Sequence, residues 1–407
     1  MADPIVVVGG GLAAGTAVTE LRESGYAGPL VLVSEEQHPP YERPPLSKDL
    51  LLGTGEAADT LVHAEEWYAE HDVELRLGSP VTVLDLANRT VTVGAKPLRY
   101  ERLLLATGSR PRTLPMADDS GVPVAYLRTL DDALRLKDRL TEGTRVAIVG
   151  GGWIGLEVAA AARHHGAEVT VLESAAQPLL KVLGDEVAPV FAELHRSHGV
   201  DVRTGATLTG IERSGDGAVL RLEQGEPVEC DLLVVGVGVE PVVELAEAAG
   251  LTVDDGIRTD ARLRTSDDHV YAAGDVANAD HPVLGRPVRV EHWDTAQQHG
   301  KVAAHNLAGG EEEHTALPYF FTDQYDLGME YVGSPGPDGF DRVVVRGDTA
   351  GLVFTAWWLR GDEVVAGMHV NDWDAIDDVR RLVGQHVDAD RLADTGTALA
   401  EVGGPAE

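Results

Sequence analysis

The chain has 407 residues, 43% hydrophobic and 25% charged, which is the balance of a globular protein with two or three domains. Its net charge of −34 excludes long-range attraction to nucleic acid or to an anionic membrane surface. A single cysteine, Cys230, rules out an internal disulfide framework and any two-thiol redox centre. The N-terminal MADPIVVVGGG lacks the basic start and long apolar core of a signal peptide. No apolar run reaches the roughly 18 residues that span a bilayer, so a soluble, cytoplasmic protein is expected.

In chain order, Ile5-Val6-Val7-Val8 reads as a buried strand. It runs into Gly9-Gly10-Gly11-Leu12-Ala13-Ala14-Gly15 and a helix ending at Glu23. A second apolar run, residues 30–33, ends at Ser34-Glu35-Glu36. Strand, glycine turn, helix, strand and acid is the order of a dinucleotide-binding βαβ unit. The pattern recurs at Arg145-Val146-Ala147-Ile148-Val149, followed by Gly150-Gly151-Gly152-Trp153-Ile154-Gly155, a helix to His165, and a strand running from Glu168 to Leu172 and Glu173. Two such units predict two dinucleotide sites. Further strands lead into Ala106-Thr107-Gly108, into Gly236-Val237-Gly238 and into Ala272-Ala273-Gly274-Asp275. Gly309-Gly310 and the three glutamates after them read as an exposed turn. Beyond it, alternating runs at 342–346 and 352–359 predict an antiparallel sheet. An amphipathic helix is expected near 375–383, and a polar tail that frays from Gly396.

The fold class is therefore α/β, with two Rossmann-like domains and a C-terminal α+β domain. The expected boundaries are 1–112 and 242–317 for the first domain, 113–241 for the second, inserted one, and 318–407 for the third. In the first glycine turn, Gly9 bends the chain out of the strand and Gly11 leaves room for a pyrophosphate at the helix N-terminus. Ala14 is small enough for close helix–strand packing, and Glu35 can accept from a ribose. The second turn fits the full pattern at Gly150, Gly152 and Gly155. Glu173, with no arginine nearby, pairs with a free 2′-hydroxyl and repels a 2′-phosphate, which favours NADH over NADPH.

These units, with Ala106-Thr107-Gly108-Ser109-Arg110-Pro111 and Tyr271-Ala272-Ala273-Gly274-Asp275, resemble the two-dinucleotide flavoprotein reductases of the glutathione reductase fold. Within that superfamily, Tyr41-Glu42-Arg43-Pro44-Pro45-Leu46-Ser47-Lys48, Tyr126-Leu127-Arg128-Thr129-Leu130, Arg289-Val290-Glu291-His292-Trp293 and Phe321-Thr322-Asp323-Gln324-Tyr325 resemble the putidaredoxin reductase type. These are the ferredoxin reductases of bacterial oxygenase systems. Phe321 stands where that family often has tryptophan. The resemblance implies FAD on the first unit, with Gly9, Gly11, Ala13, Ala14, Glu35, Arg43, Lys48, Val81, Ala106, Thr107, Gly108, Arg128, Gly274, Asp275 and Trp293 as its contacts. It implies NADH on the second, with Gly150, Gly152, Ile154, Gly155, Glu157, Glu173 and Gly238. It also implies that Lys48 sits beside the flavin, that Glu157 pairs with it, and that Trp293 lies against the flavin or nicotinamide edge.

Disulfide reductases of this fold carry a reactive cysteine pair after the first unit, and residues 37–52 here hold none. Cys230 is expected as a packed small residue at the start of a strand over 231–235. The pairs His164/His165 and His195/His198 read as solvated helical histidines, and no metal is expected. The resemblance thus implies an NADH:ferredoxin oxidoreductase, monomeric or homodimeric. Its partner would be a two-iron two-sulfur ferredoxin that feeds a haem monooxygenase or Rieske-type oxygenase. The alternatives are a rubredoxin or monodehydroascorbate reductase of the same fold, or an NADH-sensing flavoprotein resembling apoptosis-inducing factor. Because a ferredoxin is acidic, docking is expected to use a local basic patch, with Arg289 first, Arg286 second and Arg380-Arg381 on another rim.

Overall fold

The structure, a computed structural model, describes residues 2–403. Two compact units make up the chain. One contains the residues up to Pro45, Glu56–Arg110 and Val239–Ala316; the other contains Leu46–Gly55, Pro111–Gly238 and the residues from Leu317 onward.

The first unit is built on a five-stranded parallel sheet in the order Val270–Ala272, Arg102–Leu105, Ile5–Val8, Leu30–Val33, Val73–Arg76. Its central strands are unbroken aliphatic runs because both faces are covered. Ile5, Val7, Leu32 and Leu104 point to one face, where the helices Leu12–Glu23 and Trp293–Leu307 bury them. Those helices approach closely at Gly300, where a Cβ would stand 2.7 Å from the Thr16 Cβ. Val6, Val8, Leu103 and Leu105 point to the other face and pack with Leu84 and Val91 of a small antiparallel sheet.

The second unit repeats the plan. Its parallel sheet runs Asp201–Arg203, Glu168–Leu172, Arg145–Val149, Leu232–Val235, Val124–Ala125. Helix Trp153–His164 follows the glycine turn, and Leu180–Ser197 is broken at Gly184, whose φ is 75°. The C-terminal region of this unit is a five-stranded antiparallel sheet, ordered Tyr319–Gln324, Leu327–Gly333, Glu363–Val370, Val353–Arg360, Arg342–Asp348. Leu156, Phe191, Tyr331 and Trp358 share one core, which joins this sheet to the two helices. Among the described residues no helix is long and apolar enough to cross a membrane.

The mixed α/β class with two Rossmann-like sheets and a β-rich C-terminal region agrees with the sequence reading; two local expectations do not. Cys230 ends the short strand Val228–Cys230 of a neighbouring antiparallel sheet instead of starting Leu232–Val235. It is packed as expected, at 1% exposure. The tail does not fray over its described part. Val402 is buried in the C-terminal core, and Arg381 donates to the carbonyls of Leu399 and Val402 at 2.7 and 3.1 Å. Arg346 donates to the Asp394 and Thr397 carbonyls and Arg391 to that of Glu401, so three guanidinium groups hold the tail together with the Val402 anchor.

Candidate functional site

The first glycine turn is a cradle that side chains cannot enter without collision. Gly9 has φ 137°, and a Cβ there would stand 2.1 Å from the Ala106 carbonyl oxygen. Gly11 begins helix Leu12–Glu23 with no side-chain cap and no acid in the first turn, so its N–H groups stay available to an anion. Ala13 and Ala14 are buried at the same helix start. From the end of strand Arg102–Leu105, Ala106 and Thr107 line the turn, with the Thr107 hydroxyl donating to the Val242 carbonyl at 2.7 Å. Gly108 follows with φ 68°. The Gly274-Asp275 turn closes the group: Gly274 has φ 76°, and a Cβ there would stand 3.0 Å from the Ala13 Cβ. Ser109 donates to the Asp275 carboxylate at 2.7 Å.

Around this cradle, Arg43 pairs with Glu36 at 3.0 Å, and its guanidinium lies 3.9 Å from the place of a Cβ on Gly11. Glu35 is exposed at the end of Leu30–Val33, while its neighbour Glu36 is engaged by Arg43 and Tyr41. Val81 is half-buried on the antiparallel sheet, opposite Val93. Trp293 is the first residue of its helix and packs against the core under the cradle.

The second turn has the same backbone logic. A Cβ on Gly150 (φ 109°) would stand 2.2 Å from the Gly236 carbonyl oxygen, and one on Gly155 equally close to that of Gly150. Gly152 starts helix Trp153–His164 without a side-chain cap, and nothing lies within 4 Å of its Cβ position. Glu173 accepts from the Gly151 N–H at 2.8 Å and from the Ala175 N–H at 2.7 Å, which fixes its carboxylate beside the turn. Ile154 is 45% exposed, an apolar side chain left open at the helix start. Gly238 has φ 99°, and its carbonyl accepts from Arg112. Both turns therefore fit a dinucleotide: open first-turn amides, and space where any side chain would intrude.

Within the second unit the structure brings Lys48 and Glu157 together. Lys48 caps the short helix Asp49–Leu52, and its Nζ lies 3.1 Å from Glu157 Oε1 and 5.0 Å from the centre of the Phe321 ring. Glu157 is 5% exposed, on the inner face of helix Trp153–His164. Ser47 and Thr322 also donate to its carboxylate, at 2.5 and 2.6 Å. Arg128 lies on the segment that leads into the capped helix Leu130–Lys137. Burial pushes the Cys230 thiol up to about 11, so it stays protonated at neutral pH.

Four side chains depart from the sequence reading: Arg289, Arg381, His195 and His165, the last half-buried and bonded to the Leu51 carbonyl at 2.8 Å. Arg289 is no exposed docking cation: it is 11% exposed, clamped between Asp255 at 3.1 Å and Glu291, and donates to the Asp275 carbonyl. His195 is not solvated but fully buried, bonded to Gln324 at 2.8 Å. Its four-residue spacing from the buried Phe191 marks the inner helix face and was the available signal. Thr322 and Gln324 belong to the motif at 321–325; nothing local in the sequence shows that Thr322 reaches Glu157 or that Gln324 bridges Thr322 and His195. Arg380, exposed, lies over the Tyr319 ring, whereas Arg381 is the clamp on the tail.

Two dinucleotide cradles, one on each unit, define a pyridine-nucleotide oxidoreductase. Residues 3–300 match the pyridine nucleotide-disulphide oxidoreductase family, and residues 319–403 match the reductase C-terminal family. The chain is 42% identical over 404 residues to the anthranilate 1,2-dioxygenase system ferredoxin–NAD(+) reductase component of Burkholderia cepacia, covering 98% of each. It is 37% identical to putidaredoxin reductase of Pseudomonas putida, covering 98% of this chain and 96% of that one. The solved covalent putidaredoxin reductase–putidaredoxin complex contains a chain matched with a TM-score of 0.93 at 36% identity, over 98% of this chain and 97% of that one. The chain belongs to the pyridine nucleotide-disulphide oxidoreductases, in their ferredoxin–NAD(+) reductase branch.

Proposed function

We propose that this oxidoreductase takes electrons from NADH and passes them, through FAD, to a small two-iron two-sulfur ferredoxin that serves an oxygenase in the cytoplasm. The observation that carries the reading is the presence of two complete cradles in a chain whose one cysteine is buried and protonated. Electrons have no thiol relay to use and must leave the flavin directly.

The first cradle, with Gly9, Gly11, Ala13, Ala14 and Gly274, holds the FAD pyrophosphate on its first-turn amides, and Arg43 adds a permanent positive charge. Asp275, fixed by Ser109, and Glu35 accept hydrogen bonds from FAD hydroxyls; Thr107, Val81, Arg128 and Trp293 complete its surroundings. The second cradle holds NADH at Gly150, Gly152, Ile154, Gly155 and Gly238, with Glu173 accepting from the adenosine ribose. When bound, FAD would take the two electrons of one hydride and release them singly to an iron–sulfur cluster, which accepts one at a time. Lys48, held by Glu157, presents the positive charge that stabilises negative charge developing on the ring system.

The test is turnover. The purified chain should carry FAD, be reduced by NADH, and reduce a two-iron two-sulfur ferredoxin in a coupled cytochrome c assay. Fast reduction by NADH with no ferredoxin turnover, and transfer only to rubredoxin or a small organic radical, would contradict the assignment.

A further inference from the structure

Glu157 is the only buried carboxylate among the described residues. A carboxylate in such a place keeps its charge only where donors meet its lone pairs. Ser47 and Lys48 supply two of them. The third, the Thr322 hydroxyl, has a single proton, and what surrounds Thr322 decides where that proton points.

Thr322 Oγ1 accepts from Gln324 Nε2 at 3.1 Å, which directs its own proton to Glu157 Oε1 at 2.6 Å. Gln324 is oriented in turn from its far end, where Oε1 lies 2.8 Å from His195 Nε2. An amide oxygen only accepts, so His195 carries its proton on Nε2. Nδ1 is then the acceptor for the Tyr325 hydroxyl, 3.3 Å away. The reversed chain is disfavoured, because turning the Gln324 amide over would draw the Thr322 proton toward Gln324. Two oxygens would then face each other at 2.6 Å with no proton between them. Burial, partly opposed by the bond to Gln324 and helped by His198, depresses the His195 pKa to about 4. At neutral pH the ring is uncharged and can hold one tautomer. The charged residue of the same strand, Asp323, keeps an exposed side chain; partial desolvation and the Glu157 charge push its carboxyl up, and Lys48 opposes them.

We propose that His195 is a positioning residue: its Nε2 proton sets the donor direction of the Gln324–Thr322 chain, which holds the Glu157 carboxylate and, through it, the Lys48 ammonium. The consequence for the reaction rests on the reading of Lys48 as the positive charge beside the flavin. The chain itself does not.

The experiment uses the FAD-loaded, full-length protein with His195→Phe, Thr322→Val, Thr322→Ser and the His195→Phe/Thr322→Val double variant. Side-chain ¹⁵N spectra of the wild type should show, beside the signals of the buried His281, His299 and His314, a neutral Nε2–H histidine that persists below pH 6 and is missing from His195→Phe. The Glu157 carboxylate stretch, followed by infrared spectroscopy and assigned with Glu157→Gln, should move in His195→Phe and in Thr322→Val as the donated hydrogen bond is weakened or lost. The double variant should shift no further than the larger single, and Thr322→Ser should restore the wild-type value. If His195→Phe does not fold, Gln324→Met breaks the same chain and carries the same expectation. The limiting rate of flavin reduction by NADH should fall about tenfold in the same variants with KM unchanged. A folded His195→Phe with unshifted Glu157, strictly additive shifts, or an Nδ1–H tautomer would overturn the chain. A shifted Glu157 with unchanged flavin reduction would instead overturn the role given to the Lys48–Glu157 pair, and with it the part of His195 in the reaction.

Discussion

The two glycine turns share one backbone device and keep different electrostatic company. At Gly9 and at Gly150, a positive φ and a carbonyl oxygen at 2.1 or 2.2 Å from the would-be Cβ admit only glycine. At the next glycine the turns diverge. The Cβ position of Gly10 faces the Ser34 hydroxyl, and that of Gly151 faces the Glu173 carboxylate. At the helix start, a guanidinium stands 3.9 Å from the Gly11 position, whereas nothing stands within 4 Å of the Gly152 position. A fixed cation beside a pyrophosphate suits a dinucleotide that stays. Open amides beside a fixed carboxylate suit one that comes and goes and must lack a 2′-phosphate. The folds are alike; on the proposed reading, the difference in charge is what separates a resident cofactor from an exchanging one.

The sharpest way to break this comparison is to add one methyl group at different points. Gly9→Ala forces the methyl against the Ala106 carbonyl in a strained backbone, so it should cost about 3 kcal/mol or more and leave the protein without FAD. Gly152→Ala meets open space at an ordinary φ of −79°. It should keep the melting temperature and bound FAD while raising KM for NADH at least tenfold. Equal melting temperatures for the two variants would refute the argument from backbone strain.

Next in size is Arg43→Leu. Loss of a charge-assisted contact worth about 1.5–3 kcal/mol should weaken FAD retention roughly tenfold to a hundredfold, seen as flavin lost on gel filtration. KM for NADH should not move once FAD is resupplied. A larger effect on NADH than on FAD would place this cation on the other dinucleotide.

Glu173→Ala probes the second cradle's carboxylate. The native protein should prefer NADH to NADPH by more than tenfold in kcat/KM, a difference above about 1.4 kcal/mol, and the variant should narrow that gap. Unchanged selectivity would make Glu173 a turn-stabilising residue for Gly151 and Ala175 alone. The smallest effect belongs to Cys230→Ser. A polar hydroxyl in place of a buried thiol should cost about 1–2 kcal/mol of stability and leave ferredoxin turnover intact. Abolished turnover in a folded, FAD-loaded variant would mean that the thiol carries electrons.

The cradles were legible in the sequence because their determinants are local: a strand, a glycine spacing and a helix start lie within about a dozen residues. Lys48 and Glu157 came from resemblance, and the ion pair between them is what the second unit displays. What escaped depends on partners distant in the chain. Arg289 reads as a free cation until Asp255 is brought beside it by the pairing of Ile257–Thr259 with Ala277–His281. His195 reads as solvated until the Tyr319–Gln324 strand places Gln324 against its helix. Val402 reads as part of a polar tail until Arg381 and the C-terminal core capture it. Loss of Arg289 as a docking cation removes the leading member of the basic patch and leaves exposed Arg380 and the half-buried Arg286.

The central claim is that one cradle holds a resident dinucleotide and the other an exchanging one. The most direct measurement is the nucleotide content of the purified chain after exhaustive dialysis against buffer, by acid release and chromatography. The account predicts close to one FAD per chain and no nicotinamide dinucleotide. Retained NAD, or flavin lost as readily as nicotinamide, would contradict it.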